Sequence, residues 1–248
     1  MCATLNIDVI IPIFNEGENI EKTLDALARG IRLVDPAIAV FHLMPIYDFD
    51  EDNTLPVINS IKTKYDFPIY PIKNPKGGVV NALKQGFESA KGDHVLVTMA
   101  DASDDYEILP RIMDLAQQGY DIVTPSRYMH NGRLYGGPFF KQLLSRLAGV
   151  SLCWLCRIPT HDITNSYKLY KCETIRSLTI ESQGGFEIGM EITAKVFIDG
   201  GRIVELPSRW WDRTEGKSNF QLFNWLPNYL KWYIFLLVRC PMGIHPGI

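Results

Sequence analysis

The stretch Asp8-Val9-Ile10-Ile11-Pro12-Ile13-Phe14-Asn15-Glu16 decides the fold. It is a continuous apolar run that ends in a carboxylate. A strand apolar on both faces is covered on both faces, which marks a parallel sheet in an α/β protein. Two later runs repeat the pattern. Val40 to Tyr47 leads into Asp48, Asp50 and Asp52, and His94-Val95-Leu96-Val97-Thr98-Met99 leads into Asp101, Asp104 and Asp105. Parallel strands place all three acidic ends at one edge of one sheet, where open α/β sheets bind ligands. Carboxylates gathered there suit a divalent cation and the polar face of a nucleotide.

Outward from these runs, strands near 6–13, 38–46, 68–72, 93–99 and 121–125 alternate with helical stretches near 17–29, 54–64, 78–91 and 106–118. The alternation predicts a mostly parallel central sheet flanked by helices. Asn15 and Asn53-Thr54 signal helix starts, and Gly77-Gly78 opens the third helix. The second half is less regular. A helix is expected over 139–157, a strand over 166–171, a helix over 187–199 and a short strand over 202–206. A polar loop, Asp212 to Asn219, leads to a terminal helix. The simplest organisation is one domain over residues 1–220 and an amphipathic, apolar helical tail over 221–248.

Composition bounds the partners. The chain has 248 residues, is 46% hydrophobic and 21% charged, and carries a net charge of −3. That balance is ordinary for a soluble globular protein and argues against nucleic-acid binding, which needs a basic face. Five scattered cysteines, an odd number, point to a reducing, cytoplasmic compartment. The N-terminus is expected to lack a signal peptide, because Asn6 and Asp8 interrupt it. Trp225 to Val238 is rich in Trp, Tyr and Phe but too short to span a bilayer. It reads either as a core-packing helix or as an interfacial one.

Pro12 ends strand pairing, Phe14 is placed to stack on a base, and Glu16 to accept ribose or base hydrogen bonds, unless Asn15-Glu16 merely caps the next helix. Asp48 and Asp52 flank a loop where a carboxylate can read the N–H donors of a uracil or guanine. Asp101, Asp104 and Asp105 offer oxygen ligands for Mg²⁺ or Mn²⁺ bridging a diphosphate. Lys76-Gly77-Gly78 lets a lysine or backbone approach a phosphate. Lys141 and Ser145 share a helix face, and Arg127, Arg213 and Lys217 are further cations. Cys153-Trp154-Leu155-Cys156 lies in an apolar run and reads as core, not as a redox pair. His161 is the one histidine with a notable neighbour, Asp162.

As an ordered set, these segments resemble the family-2 glycosyltransferases with the GT-A fold, and within them the dolichol-phosphate mannose synthase group. The resemblance rests on Val9 to Ile20, Asp48 to Thr54, Ser126-Arg127-Tyr128, Asp162 to Lys168 and Arg213 to Phe220. It implies that Pro12, Phe14, Glu16 and Asp48 hold the nucleotide, with Lys76 beside them, and that Asp101, with Ser103 nearby, binds the metal. It implies that Arg127, Lys141 and Ser145 hold an acceptor phosphate and Arg213 the donor diphosphate. The implied reaction moves a hexose such as mannose from a GDP- or UDP-sugar to a polyprenyl phosphate at the cytoplasmic membrane face, with or without an anchoring partner.

The sequence departs from the family at several points. Met99-Ala100-Asp101 stands where the family has Asp-x-Asp, leaving Ser103, Asp104 or Asp105 to compensate. Tyr47 replaces an Asp, Asn165-Ser166 a Ser-Gly, and Asn219 a Lys. Two rival readings remain: transfer to a glycan hydroxyl, with Asp162, Glu187 or Glu191 as base, and a non-catalytic nucleotide-sugar-binding subunit.

Overall fold

The computed structural model describes residues 3–213 and 222–240. Its first half is laid down by alternating elements: β1 (Leu5–Pro12), α1 (Ile20–Ile31), β2 (Ala39–Tyr47), α2 (Thr54–Ile61), β3 (Ile72–Lys73), α3 (Val79–Ser89), β4 (His94–Val97), α4 (Leu109–Gln117) and β5 (Ile122–Ser126). The second half supplies β6 (Arg133–Tyr135), α5 (Phe139–Cys156), β7 (Lys168–Lys171), α6 (Cys172–Ser177), α7 (Ile188–Ile198), β8 (Ile203–Pro207), β9 (Arg209–Trp211) and α8 (Leu222–Arg239). Seven strands form one sheet in the order β3-β2-β1-β4-β7-β5-β8. Its neighbours pair parallel except β7, which runs against β4 and β5.

Both sheet faces are covered, as the apolar runs require. Ile7, Val9 and Ile11 of β1 meet α1 and α4 residues on one side, and Ile10 meets α3 residues on the other. Gly86 of α3 is needed for that approach, because a Cβ there would lie 2.6 Å from the Ile10 side chain. Neighbouring strands β2, β1 and β4 run in one direction, so their carboxyl ends open on a common edge. The end of β5 faces the same way.

Several elements differ from the sequence reading. The strand expected over 68–72 is only Ile72–Lys73, with an isolated bridge between Leu43 and Ile69. Pro68 and Pro71 have no N–H to donate, so a continuous ladder cannot form. The helix expected from 106 begins as a single 3₁₀ turn, Tyr106–Ile108, with α4 following. The short pieces β6, β9 and α6 have too few residues to show a period. β6 and β9 pair parallel as a two-stranded ribbon.

α8 packs on α5 and α7. Trp232 and Leu236 are buried with Leu152, Ile158, Ile163 and Met190, while Ile234 and Val238 on the other face are exposed. The core-packing reading of the Trp225 to Val238 stretch describes the Trp232 face; the opposite face carries exposed apolar side chains. The boundary expected between residues 220 and 221 lies outside the described residues.

Candidate active site

A cavity of about 890 Å³ opens at the carboxyl edge of the sheet. Pro12, Phe14 and Glu16 line it from the end of β1, Asp48 from the end of β2, and Asp101, Ser103 and Asp104 from the loop after β4. Arg127 enters from the end of β5, Lys141 and Ser145 from α5, and Arg213 from the segment after β9. Of the residues given a ligand role in the sequence, Lys76, Asp52 and Asp105 are not in the lining; Lys76 is exposed, and its backbone N–H donates to Asn74 Oδ1. Lys217 and Asn219 lie outside the described residues.

The three acidic clusters each send one carboxylate or two into the cavity and use the rest as structure. Asp52 is fully buried and accepts the backbone N–H groups of Asn15 and Thr54, tying the β1 and β2 loops together. It is not placed to read a base. Asp50 pairs with Lys73 at the surface. Asp48 holds the Gly77-Gly78 turn, accepting from Asn74 Nδ2 and Gly78 N at 2.7 Å each. Gly78, at φ +81° and ψ 149°, occupies backbone space that essentially only glycine enters.

In the loop after β4 the acidic side chains take different partners. Asp105 is taken by Arg209, which reaches both of its oxygens. Asp104 Oδ2 accepts from Thr98 Oγ1 at 2.6 Å and from Met99 N at 3.2 Å. Burial raises its pKa to about 7, a shift opposed by the Thr98 hydrogen bond and reinforced by the Asp101 charge. Near neutrality it is only partly ionised. Ser103 donates to Asp101 Oδ1 through Oγ at 2.5 Å and through its backbone N–H at 3.2 Å. Ala102 adopts φ +58° to fold Ser103 back onto Asp101.

Asp101 therefore stands as a single oriented carboxylate. Among the described residues no group of three or more His, Cys, Asp or Glu side chains is arranged to hold an ion. A Mg²⁺-type ion carried largely by substrate phosphates needs only one or two protein carboxylates. Asp101 fits that limited role.

Two arginine–carboxylate groups face each other across the site. Arg213 Nη2 lies 2.8 Å from Glu16 Oε1 and 3.5 Å from Asp101 Oδ2. Burial works against its charge, but the Glu16 hydrogen bond and the nearby Asp101 outweigh that and raise its pKa. Arg127 is bound by Asp162 on both oxygens: Nε and Nη2 each donate at 2.7 Å, and the Arg127 backbone N–H adds a third bond at 2.9 Å. Nη2 also reaches Ser145 Oγ at 3.3 Å. Lys141 has its pKa lowered to about 8 by burial and by the Arg127 charge, with Asp101 and Asp212 holding it up.

The residues considered as bases for a hydroxyl acceptor are occupied. Asp162 is pinned by Arg127. Glu187 accepts the N–H groups of Gly184 and Gly185. Glu191 accepts those of Glu181 and Ser182 and pairs with Lys195. Cys156 is a buried free thiol whose pKa burial raises to about 11, in keeping with a core role, whereas Cys153 is half-buried beside His161 Nε2 at 3.6 Å and Trp154 and Leu155 are exposed. His161 binds Glu205, not Asp162, through Nδ1 at 2.5 Å.

The sequence reading gave no site role to Tyr128, Trp210 or Tyr229, which also line the cavity. Lys168 is fully buried and donates to the carbonyls of Ile163 and Asn165, which shapes the loop that carries Asp162 and Thr164.

The cavity at this edge gathers carboxylates, cations and an apolar wall. The glycosyl transferase family 2 profile matches residues 8–178, and the chain belongs to that family. A dolichol-phosphate mannosyltransferase of Pyrococcus furiosus is 26% identical over 92% of this chain and 64% of its own length. This chain thus spans less than two thirds of that relative. A polyprenol monophosphomannose synthase of Mycolicibacterium smegmatis is 27% identical over 85% of this chain and 79% of its own.

Among solved structures, the glucosyl-3-phosphoglycerate synthase of Mycobacterium tuberculosis in complex with Mn²⁺, UDP and glucosyl-3-phosphoglycerate superposes with a TM-score of 0.67. It is 17% identical and covers 98% of this chain and 82% of its own. The same enzyme with Mg²⁺ and UDP gives 0.63 at 18% identity, covering 98% of this chain and 82% of its own. The likeness establishes the GT-A fold.

Proposed function

We propose that this chain is an inverting glycosyltransferase that moves a hexose, with mannose the first choice, from a nucleotide-sugar to a polyprenyl phosphate. One observation carries the reading. One cavity is lined by carboxylates (Glu16, Asp48 and Asp101), by cations (Arg127 and Lys141) and by Leu144, Leu147, Tyr229, Leu230 and Tyr233 of α5 and α8. A nucleotide with its metal, a phosphate and a lipid chain each find matching chemistry there. The names of the two relatives favour the same acceptor class.

The chemistry needs no general base. A phosphate monoester has a second pKa of about 6 and is largely dianionic at neutral pH. One phosphate oxygen attacks the anomeric carbon. The bond from that carbon to the donor diphosphate breaks, and its electron pair leaves with the nucleoside diphosphate. Single displacement inverts the anomeric centre. Lys141, Ser145 and the Arg127 edge orient the acceptor phosphate. Phe14 and Asp48 line the donor end, and Arg213 is placed to take the diphosphate. Mg²⁺ or Mn²⁺ at Asp101, when bound, supplies charge stabilisation for the leaving diphosphate. The occupied state of Asp162, Glu187 and Glu191 speaks against a hydroxyl acceptor.

Among the described residues no helix is long and apolar enough to cross a membrane. Trp154 and Leu155 at the end of α5, Phe139 and Phe140 at its start, and Ile234 and Val238 on α8 are exposed. The reading therefore includes peripheral attachment at the cytoplasmic face, with or without a partner.

The test is a panel of GDP- and UDP-hexoses with Mg²⁺ or Mn²⁺ against a short polyprenyl phosphate, a free glycan and no acceptor. A sugar-phosphate lipid of inverted configuration is expected. Transfer to the glycan alone would favour the hydroxyl reading. Donor binding without turnover on any acceptor would favour the non-catalytic one.

A further inference from the structure

Asp101 and Glu16 already share a cation, and it belongs to the protein. Arg213 lies against Glu16 Oε1 and Asp101 Oδ2, and all three side chains are at most 18% exposed. The other Asp101 oxygen is held by Ser103. The edge of Asp101 left for a metal is thus the edge that Arg213 faces. Two residues earlier stands Met99, where no carboxylate is available. Asp105 is held by Arg209, and Asp104 turns its Oδ2 to Thr98 Oγ1 and Met99 N.

A divalent ion binds carboxylate oxygen at about 2.0–2.1 Å if it is Mg²⁺. Placed on Asp101 Oδ2, it would sit within a few ångströms of the guanidinium. Two cations at that separation repel strongly at the intermediate dielectric of a half-buried site. A diphosphate removes the conflict. It supplies both the negative charge that two cations need and the oxygen pair that a guanidinium fork prefers to a lone carboxylate edge.

We propose that Arg213 acts as the resident counter-charge that keeps the metal position closed, so that a divalent cation enters only together with the donor's diphosphate, which takes over Arg213. The inference rests on the proposed nucleotide-sugar reading. It adds an order to it: metal affinity in this chain is conditional on the nucleotide and is set by an arginine instead of a second carboxylate.

The experiment is a titration of the full chain with Mn²⁺, followed by the electron paramagnetic resonance signal of free Mn²⁺, without nucleotide and with GDP or UDP. Wild type should bind Mn²⁺ weakly alone and far more tightly with the diphosphate. Arg213→Gln should tighten binding of Mn²⁺ alone by roughly tenfold or more, because one like charge is gone from the site, and should shrink the gain from the diphosphate. Arg213→Lys, which keeps the charge, should stay near wild type, and Asp101→Asn should lose binding in both conditions. If Arg213→Gln binds Mn²⁺ alone no more tightly than wild type while the diphosphate still promotes binding, the closing role is refuted and the nucleotide reading stands. If neither GDP nor UDP binds in any condition, the nucleotide reading itself fails.

Discussion

Asp162→Asn is the substitution whose consequence the geometry fixes most tightly. Asp162 is fully buried and meets Arg127 through Nε, Nη2 and the backbone N–H at 2.7, 2.7 and 2.9 Å. Arg127 itself is only 12% exposed in its side chain. Removing one partner of a buried pair costs about 3–5 kcal/mol, because the other charge is left uncompensated. The asparagine keeps the shape and one acceptor oxygen, but its amide then meets a guanidinium N–H donor to donor. Arg127 also borders the cavity, where water reaches it, so the lower end, about 3 kcal/mol, is expected. For a chain of this size each kcal/mol shifts Tm by about 2–4 °C, giving a fall of about 6–12 °C. Scanning calorimetry measures it. Inorganic phosphate or pyrophosphate should return part of the loss, since the uncovered guanidinium accepts an anion. Replacing both partners by Met and Leu should cost much less stability than Asp162→Asn while still abolishing transfer. A Tm within about 2 °C of wild type, with no response to phosphate, would refute the view that Asp162 holds Arg127 in its charged, oriented form.

Two further outcomes follow from groups outside the direct chemistry. Burial lowers the Lys168 pKa to about 7, with Asp162 raising and Arg127 lowering it. Unfolded, the lysine keeps its proton up to the ordinary value of 10.5. Between those limits the unfolded chain binds more protons, so stability gained from this group rises with pH from about 7 to about 10.5. Urea midpoints of wild type relative to Lys168→Met should rise across that window, and a flat difference would count against the buried lysine. For membrane attachment, Trp154→Ser with Val238→Ser removes two side chains that are 83% and 74% exposed. Flotation with anionic liposomes should weaken severalfold at unchanged Tm, and undiminished flotation would take these helices out of the membrane contact.

The three strand runs were legible because burial on both faces leaves long apolar stretches, and the acidic residue after each run marks its end. What the sequence did not separate is which carboxylate in each cluster serves the cavity. Asp48 and Asp52 are four residues apart in one loop, yet one lines the cavity and the other binds Asn15 and Thr54 backbone. That choice depends on hydrogen bonds to a neighbouring loop, which no local pattern records. The Arg127–Asp162 pair joins positions 35 apart. Asp162 had been considered as a base because an unpaired carboxylate and a paired one look alike in sequence. The β6–β9 ribbon was missed for a different reason: three-residue strands carry no readable alternation, so Trp210 had no element to place it on the cavity wall.

The two arginine groups differ in a way that separates their roles. Asp162 is wholly buried and gives Arg127 three hydrogen bonds, so releasing it would strand a carboxylate in the core. On the proposed reading Arg127 works with Asp162 attached, presenting a fixed, partly neutralised edge to the acceptor. Glu16 and Asp101 keep 14% and 18% of their side chains in contact with solvent, and Arg213 keeps 16%. These groups can exchange partners without burying a bare charge. On the proposed reading, the donor end is thus built from contacts that a ligand replaces and the acceptor end from contacts it leaves in place, so that metal entry depends on the diphosphate while acceptor geometry is set before anything binds.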